Sequence, residues 1–186
     1  GQYQRLFDYQ LELLRSNPGS TVIVKLDSEE EKPIFQRMYV CLAACKLGFQ
    51  AGCRRVVGLD GCFFKGATQG ELLCAVGRDG NNQMYPIAWA VVEKETNDSW
   101  DWFCDILFRD LQVQGGDGWV LISDQQKGII NAIQRWAPEA EHRNCARHVY
   151  ANWRKKFKKK EWQKRWWKCA KAPCEMLFNR ARARLG

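Results

Sequence analysis

Residues 55–60, RVVGLD, open the part of the sequence that decides the fold. This short apolar run ends in an acid, and two more apolar runs follow at residues 71–77, ELLCAVG, and 84–92, MYPIAWAVV. Their length and their β-branched and aromatic residues predict three strands, the last two joined by the turn-forming residues 78–82, RDGNN. A fourth apolar run, WVLISD at residues 119–124, again ends in an acid and predicts a fourth strand.

Two segments with helical spacing are predicted, one between the third and fourth strands and one after the fourth. Apolar residues recur at intervals of three and four from Trp100 to Leu111, after the N-cap residues Asn97-Asp98-Ser99 and before Gly115-Gly116. A second such helix is predicted over residues 129–136. Three strands followed by helix, strand and helix imply an antiparallel meander that gains a parallel strand through a crossover. The predicted fold class is therefore α/β, with a mixed sheet flanked by helices in the order found in RNase H-like folds.

The flanking sequence adds elements on both sides of this centre. Residues 2–15 have helical spacing, residues 21–24 (TVIV) predict a short strand, and a second helix is expected from about 32 to 47. From Cys145 onward the chain is predicted to be helical and basic.

The charge is concentrated in the C-terminal quarter. The chain carries a net charge of +8, but residues 141–186 hold 15 Lys and Arg against 3 Asp and Glu, so the remainder is net negative. This asymmetry suits a polyanion such as a nucleic acid backbone. A solvated basic helix face is an equally good explanation from charge alone.

Six basic residues are the candidate phosphate contacts: Arg154, Lys155, Lys156, Lys158, Lys159 and Lys160. Such contacts would tolerate any DNA sequence and weaken with salt. A localisation signal is the competing explanation. The nearby tryptophans recur at i, i+4, which favours a packed helix face over base stacking.

Several protein classes are disfavoured by composition. No apolar run approaches the length that spans a bilayer, and the N-terminus lacks signal-peptide regions, so an intracellular protein without a membrane partner is expected. Nine cysteines are an odd number, several within apolar runs, which disfavours a secreted disulfide framework. The first residue is glycine and the last segment stops inside a helical pattern, so a fragment of a longer protein is expected.

Asp60 and Asp124 are the candidate catalytic residues and metal ligands. Each ends an apolar run, so each is expected at the carboxyl end of a buried strand, where open α/β sheets place their ligands. Adjacent carboxylates repel, a divalent cation relieves the repulsion, and oxygen ligands select Mg²⁺ or Mn²⁺. The alternative is that Asp60 starts a turn and Asp124 caps the following helix.

Four segments resemble the Mutator-like (MULE) transposases. Residues 58–66, GLDGCFFKG, resemble the first catalytic-acid motif of that family, and residues 122–129, ISDQQKGI, resemble the second. Residues 99–103, SWDWF, resemble its Ser-Trp-x-Trp-Phe helix start. Residues 142–148, HRNCARH, followed by Asn152, resemble its Cys-x-x-His segment. The segments occur in the family's order, and the similarity extends from about Pro33 to Leu185.

The resemblance implies a nuclear DNA transposase with three metal-binding acids, of which Asp60 and Asp124 are the first two. It implies metal-dependent cleavage at transposon ends and attack of the freed 3′ hydroxyl on target DNA. DNA is the expected partner, and a homo-oligomer of the full-length protein is left open. The third acid is expected past Gly186, so this chain alone is expected to be inactive.

Other assignments accompany this interpretation. Residues 1–52 are an N-terminal lead-in, 53–150 the RNase H-like core, and 151–186 the start of a basic helical insertion. The alternatives stay open: a domesticated relative that binds DNA without cutting it and acts in transcription, a decayed element without function, or a metal-dependent nuclease without strand transfer. A zinc site at His142, Cys145 and His148 is the weaker metal hypothesis, because structural zinc sites use four ligands.

Overall fold

The computed structural model describes residues 2–27, 34–65 and 70–185, and its central element is a seven-stranded sheet. The strands are β1 (Thr21–Asp27), β2 (Ile34–Cys41), β3 (Val56–Phe63), β4 (Glu71–Arg78), β5 (Met84–Val92), β6 (Val120–Ser123) and β7 (Glu141–Asn144). The helices are α1 (Gln2–Ser16), α2 (Ala43–Gly52), α3 (Asn97–Asp110), α4 (Lys127–Trp136), α5 (Ala146–Lys156), α6 (Lys160–Ala170) and α7 (Glu175–Arg182).

The sheet has the predicted mixed topology. Its order is β1-β2-β5-β4-β3-β6-β7; β4 is antiparallel to both β3 and β5, and β6 joins β3 in parallel after the α3 crossover. Strands β3, β5 and β6 therefore point the same way, and their carboxyl ends lie at one edge of the sheet. The α/β, RNase H-like fold class is confirmed.

Two hydrophobic clusters hold the layers together. The larger one packs sheet residues such as Leu59, Leu73 and Leu121 against Phe103 of α3 and Ile129 of α4, all of them buried. A smaller cluster packs β1 and β2 against the apolar side of α1. Burying each of these large apolar side chains contributes roughly 1.5–3 kcal/mol.

The predicted helix over residues 32–47 is wrong. Residues 34–41 form β2, which pairs antiparallel with β1 and β5, and the helix begins only at Ala43. Residues 32 and 33 lie outside the described residues. Five consecutive residues of β2, Arg37–Cys41, are buried, and a short run buried on both faces lacks the alternation that identifies a strand.

Two smaller predictions at element ends need correction. The N-cap of α3 is Thr96, not the Asn97-Asp98-Ser99 segment: its side chain accepts a hydrogen bond from the Ser99 amide, and the Ser99 hydroxyl accepts one from the Thr96 amide. Strand β7 was not predicted, because its sequence, EHRN, is polar throughout and carries no apolar signal.

The chain divides into two compact units, residues 1–143 and 144–186. The second unit contains α5, α6 and α7, in agreement with the predicted helical character beyond Cys145. All nine cysteines are free thiols. Among the helices in the described part of the chain, none is both long and apolar enough to cross a bilayer.

Candidate metal-binding site

Asp60 and Asp124 lie at the same edge of the sheet. In the parallel pairing of β3 with β6 the last pair is Gly58 opposite Ile122, and Asp60 and Asp124 each lie two residues beyond that pair. The charges of both aspartates act on the same carboxyl group, that of Glu95, so the two acids belong to one region of this edge. Asp60 is exposed and Asp124 half-buried.

The structure corrects the expectation that each aspartate ends its strand. Strand β3 runs on to Phe63, with Asp60 opposite Cys74 of β4, whereas β6 stops at Ser123. Asp60 therefore lies where β3 continues without β6 beside it, and Asp124 lies where the chain leaves the sheet. The alternative roles are not observed, because Asp60 is within a strand and the side chain of Gln126 caps α4.

Backbone amides orient both carboxylates. The amide of Gly61 donates to Oδ1 of Asp60, and the amide of Gln126 donates to Oδ1 of Asp124, each over 3.0 Å. Hydrogen bonds of this kind fix the direction of a carboxylate before any ligand arrives.

Glu95 is a third acid at this site that the sequence analysis missed. Burial raises its pKa most; the hydrogen bond from Trp100 lowers it, and the charges of Asp124, Glu71 and Asp60 raise it further. A Cβ on Gly61 would lie 3.0 Å from the carboxyl carbon of Glu95, so glycine leaves room for this side chain. The sequence carried only a weak signal, since Glu95 lies three residues beyond the end of β5, whereas the two aspartates directly end their apolar runs.

Two contacts hold Glu95 in place. Its Oε1 accepts a hydrogen bond of 2.9 Å from Nε1 of Trp100, which is fully buried at the start of α3. Its backbone amide donates over 2.7 Å to Oε2 of Glu71, a buried carboxylate of β4. The loop between β5 and α3 is thereby tied to the sheet edge.

The SWDWF segment positions this end of α3. Ser99 completes the capping box, and Trp100 packs edge-on against Phe103 in the core. Asp101 accepts hydrogen bonds from the guanidinium of Arg135 and the indole of Trp136, which join α3 to α4. Each of these contacts helps to fix the helix that follows Glu95.

His142 is linked to the backbone of Asp124 through Ser123. Its Nε2 is 2.9 Å from the hydroxyl of Ser123, and that hydroxyl donates over 2.8 Å to the carbonyl of Asp124. Burial lowers the pKa of His142, which favours a neutral ring. The pair supports the backbone at the point where β6 ends.

The zinc hypothesis stays a prediction. His142 belongs to the first unit, and Cys145 and His148 belong to the second. Over residues 2–27, 34–65 and 70–185, no three or more His, Cys, Asp or Glu side chains are grouped so that they could hold a metal ion.

All six predicted phosphate contacts are exposed in the second unit: Arg154, Lys155, Lys156, Lys158, Lys159 and Lys160. The neighbouring aromatic rings pack mainly on one another: Trp153 stacks on Phe157 with ring centroids 4.8 Å apart, and Phe157 contacts Trp162 at 5.2 Å. These rings form an aromatic cluster that leaves the cations facing solvent.

Comparison with known proteins identifies the family. The model of the MULE transposase domain matches residues 56–152, just over half of the chain. A search of curated proteins found no match. The matched range contains Asp60, Glu95 and Asp124, together with the whole of α3 and α4. The chain therefore belongs to the MULE transposase domain family.

Proposed function

We propose that this chain supplies Asp60 and Asp124 to a Mg²⁺- or Mn²⁺-dependent site for DNA strand cleavage and transfer in a nuclear transposase. The observation that carries the proposal is the β3–β6 register, which brings two acids from distant parts of the sequence to one edge of the sheet. The family supports a transposase-related function and an interaction with DNA.

The side chains at this edge fit a hard divalent cation. Mg²⁺ is commonly held by one or two carboxylates, with waters and substrate phosphate oxygens completing its coordination, so two aspartates are a sufficient protein contribution. When bound, such an ion supplies positive charge that activates the attacking oxygen and stabilises the leaving oxygen. Carboxylate oxygens favour Mg²⁺ or Mn²⁺ over metals that prefer thiolates.

The residues of the chain have separate roles in this proposal. Asp60 and Asp124 hold the cation, and the amides of Gly61 and Gln126 keep their carboxylates oriented. Glu95 is a third carboxyl group at the same edge, and, after burial, the charges of Asp124 and Asp60 contribute to its raised pKa. The third metal-binding acid stays a prediction from the resemblance.

Manganese titration tests the metal site. We expect the parent protein to bind Mn²⁺, and the Asp60→Asn and Asp124→Asn variants to lose that binding, because each removes one of two charged ligands. Free Mn²⁺ is measured by electron paramagnetic resonance. Asp117→Asn is the matched control, since Asp117 is an exposed aspartate in the turn before β6, at the other end of that strand. Equal binding by all four proteins would refute metal coordination by Asp60 and Asp124.

Salt dependence tests the DNA contacts. We expect Arg154→Gln to reduce the slope of log affinity against log salt for duplex DNA by about 0.9, the value for one lost phosphate contact. Arg5→Gln is the control, because Arg5 is also an exposed arginine on a helix but lies in the first unit. Fluorescence anisotropy at several salt concentrations provides the slopes. The same slope in both variants would argue against phosphate contact by Arg154.

A further inference from the structure

The second unit contains a groove between α6 and α7, outside the range matched by the family. Its volume is about 940 Å³, and its apolar surface includes Trp167, Pro173 and Leu177. Trp167 also belongs to the aromatic cluster, since its ring contacts Tyr150 at 5.1 Å and Trp166 at 4.8 Å between centroids. Trp167 therefore both packs in the aromatic cluster and lines the groove.

Only basic residues supply charge to the lining of this groove: Arg165, Lys168, Lys171, Arg180 and Arg184. Arg165 is engaged, because it donates to Glu161 and, over 2.8 Å, to the carbonyl of Arg184. For the other four, no ion pair forms among the described residues of the chain. The amino group of Lys171 lies 5.9 Å from the ring centroid of Trp167, so charge and aromatic surface adjoin.

Cations beside an aromatic ring in a groove favour single-stranded DNA over duplex DNA. A duplex offers phosphates to an exposed basic surface, but its base faces are stacked inside the helix. A concave site with cations beside an aromatic ring suits an unpaired strand, whose phosphates meet the cations while its bases stack or pack on apolar surface. The positive lining likewise favours a polyanion over a neutral protein segment.

We propose that the groove between α6 and α7 binds unpaired nucleotides of a DNA strand, with a base against Trp167 and phosphates at Lys168 and Arg180. The proposal deepens the proposed function, because cleavage and transfer of DNA strands expose unpaired ends. The groove and the exposed cations between Arg154 and Lys160 therefore have different proposed ligands. The groove binds unpaired nucleotides, and the exposed cations bind duplex phosphates.

Matched pairs of cations test the proposal in the intact chain. Labelled oligothymidylate and a duplex of the same length are titrated by fluorescence anisotropy. We expect Lys168→Ala and Arg180→Ala each to weaken oligothymidylate binding about threefold to tenfold and to leave duplex binding nearly unchanged. Lys164→Ala and Arg182→Ala are the controls, because these residues lie on the same two helices but do not line the groove. Equal losses in lining and control variants would overturn the proposal.

A second pair of variants tests the aromatic contact. Trp167→Leu should weaken oligothymidylate binding about tenfold, whereas Trp166→Leu, which removes a ring of the same cluster outside the groove, should change it less than about twofold. Circular dichroism checks that both variants fold, and the cation pairs decide the question if either does not. Unchanged binding by a folded Trp167→Leu variant would also overturn the proposal. The oligothymidylate titrations contain EDTA and no divalent cation, which separates failure of the groove from failure of the metal site.

Discussion

Replacing Trp100 by alanine should lower the free energy of unfolding by about 3–5 kcal/mol, the usual cost of removing a large aromatic side chain from a core. Trp100 has no exposed surface and lies 5.7 Å from Phe103 between ring centroids. A Cβ on Gly128 would lie 3.0 Å from Cδ1 of Trp100, which shows how closely α4 approaches this ring. Urea unfolding followed by circular dichroism measures the loss.

The Trp100→Phe variant separates packing from the hydrogen bond to Glu95. Phenylalanine keeps most of the buried ring but lacks the indole N–H that donates to Oε1 of Glu95. We expect a smaller loss of about 1–2 kcal/mol for this variant. A loss below about 1 kcal/mol for Trp100→Ala would contradict the position of this ring in the core.

Replacing Gly116 by alanine should destabilise the first unit by about 2–5 kcal/mol, since two costs add. Gly116 has a φ of +97°, where a side chain is strained, and its Cβ would lie 2.7 Å from the amide nitrogen of Ala140. That nitrogen belongs to the backbone and cannot rotate away. The same unfolding measurement applies.

Gly80→Ala is the control for this backbone effect. Gly80 does not have a positive φ, and no atom lies within 4 Å of the position its Cβ would take. Its substitution should change the free energy of unfolding by no more than about 0.5 kcal/mol. Equal losses at the two glycines would show that the close approach of Gly116 to Ala140 has no energetic effect.

The centre of the fold was predictable because its local patterns agree with its long-range packing. The runs at β3, β4, β5 and β6 are apolar and bounded by turn residues, and the helical spacing of α3 matches its buried side. Strand β2 was predicted as a helix because Ile34, Phe35, Met38 and Tyr39 also recur at helical intervals, whereas burial of Arg37–Cys41 on both faces removes the alternation of a strand. Strand β7 joins the sheet through backbone hydrogen bonds to β6. Its side chains are polar, so its sequence has no apolar pattern from which a strand could be predicted.

The candidate site was predictable in part. Asp60 and Asp124 were identified because each follows an apolar run, and β3 and β6, the strands that lead to them, are parallel neighbours. Glu95 required knowledge that β5 points the same way as β3, which depends on the intervening antiparallel strand β4. The room for Glu95 beside Gly61 is a property of three-dimensional packing that a linear pattern does not encode.

The acids at positions 60, 95 and 124 come together only when three strands with parallel directions are assembled. An unfolded chain scatters these charges, so a cation that binds the pair of aspartates favours the folded state over the unfolded one. Under the proposed metal binding, ligand occupancy and folding are thermodynamically linked, and we expect the melting temperature of the first unit to rise with cation concentration.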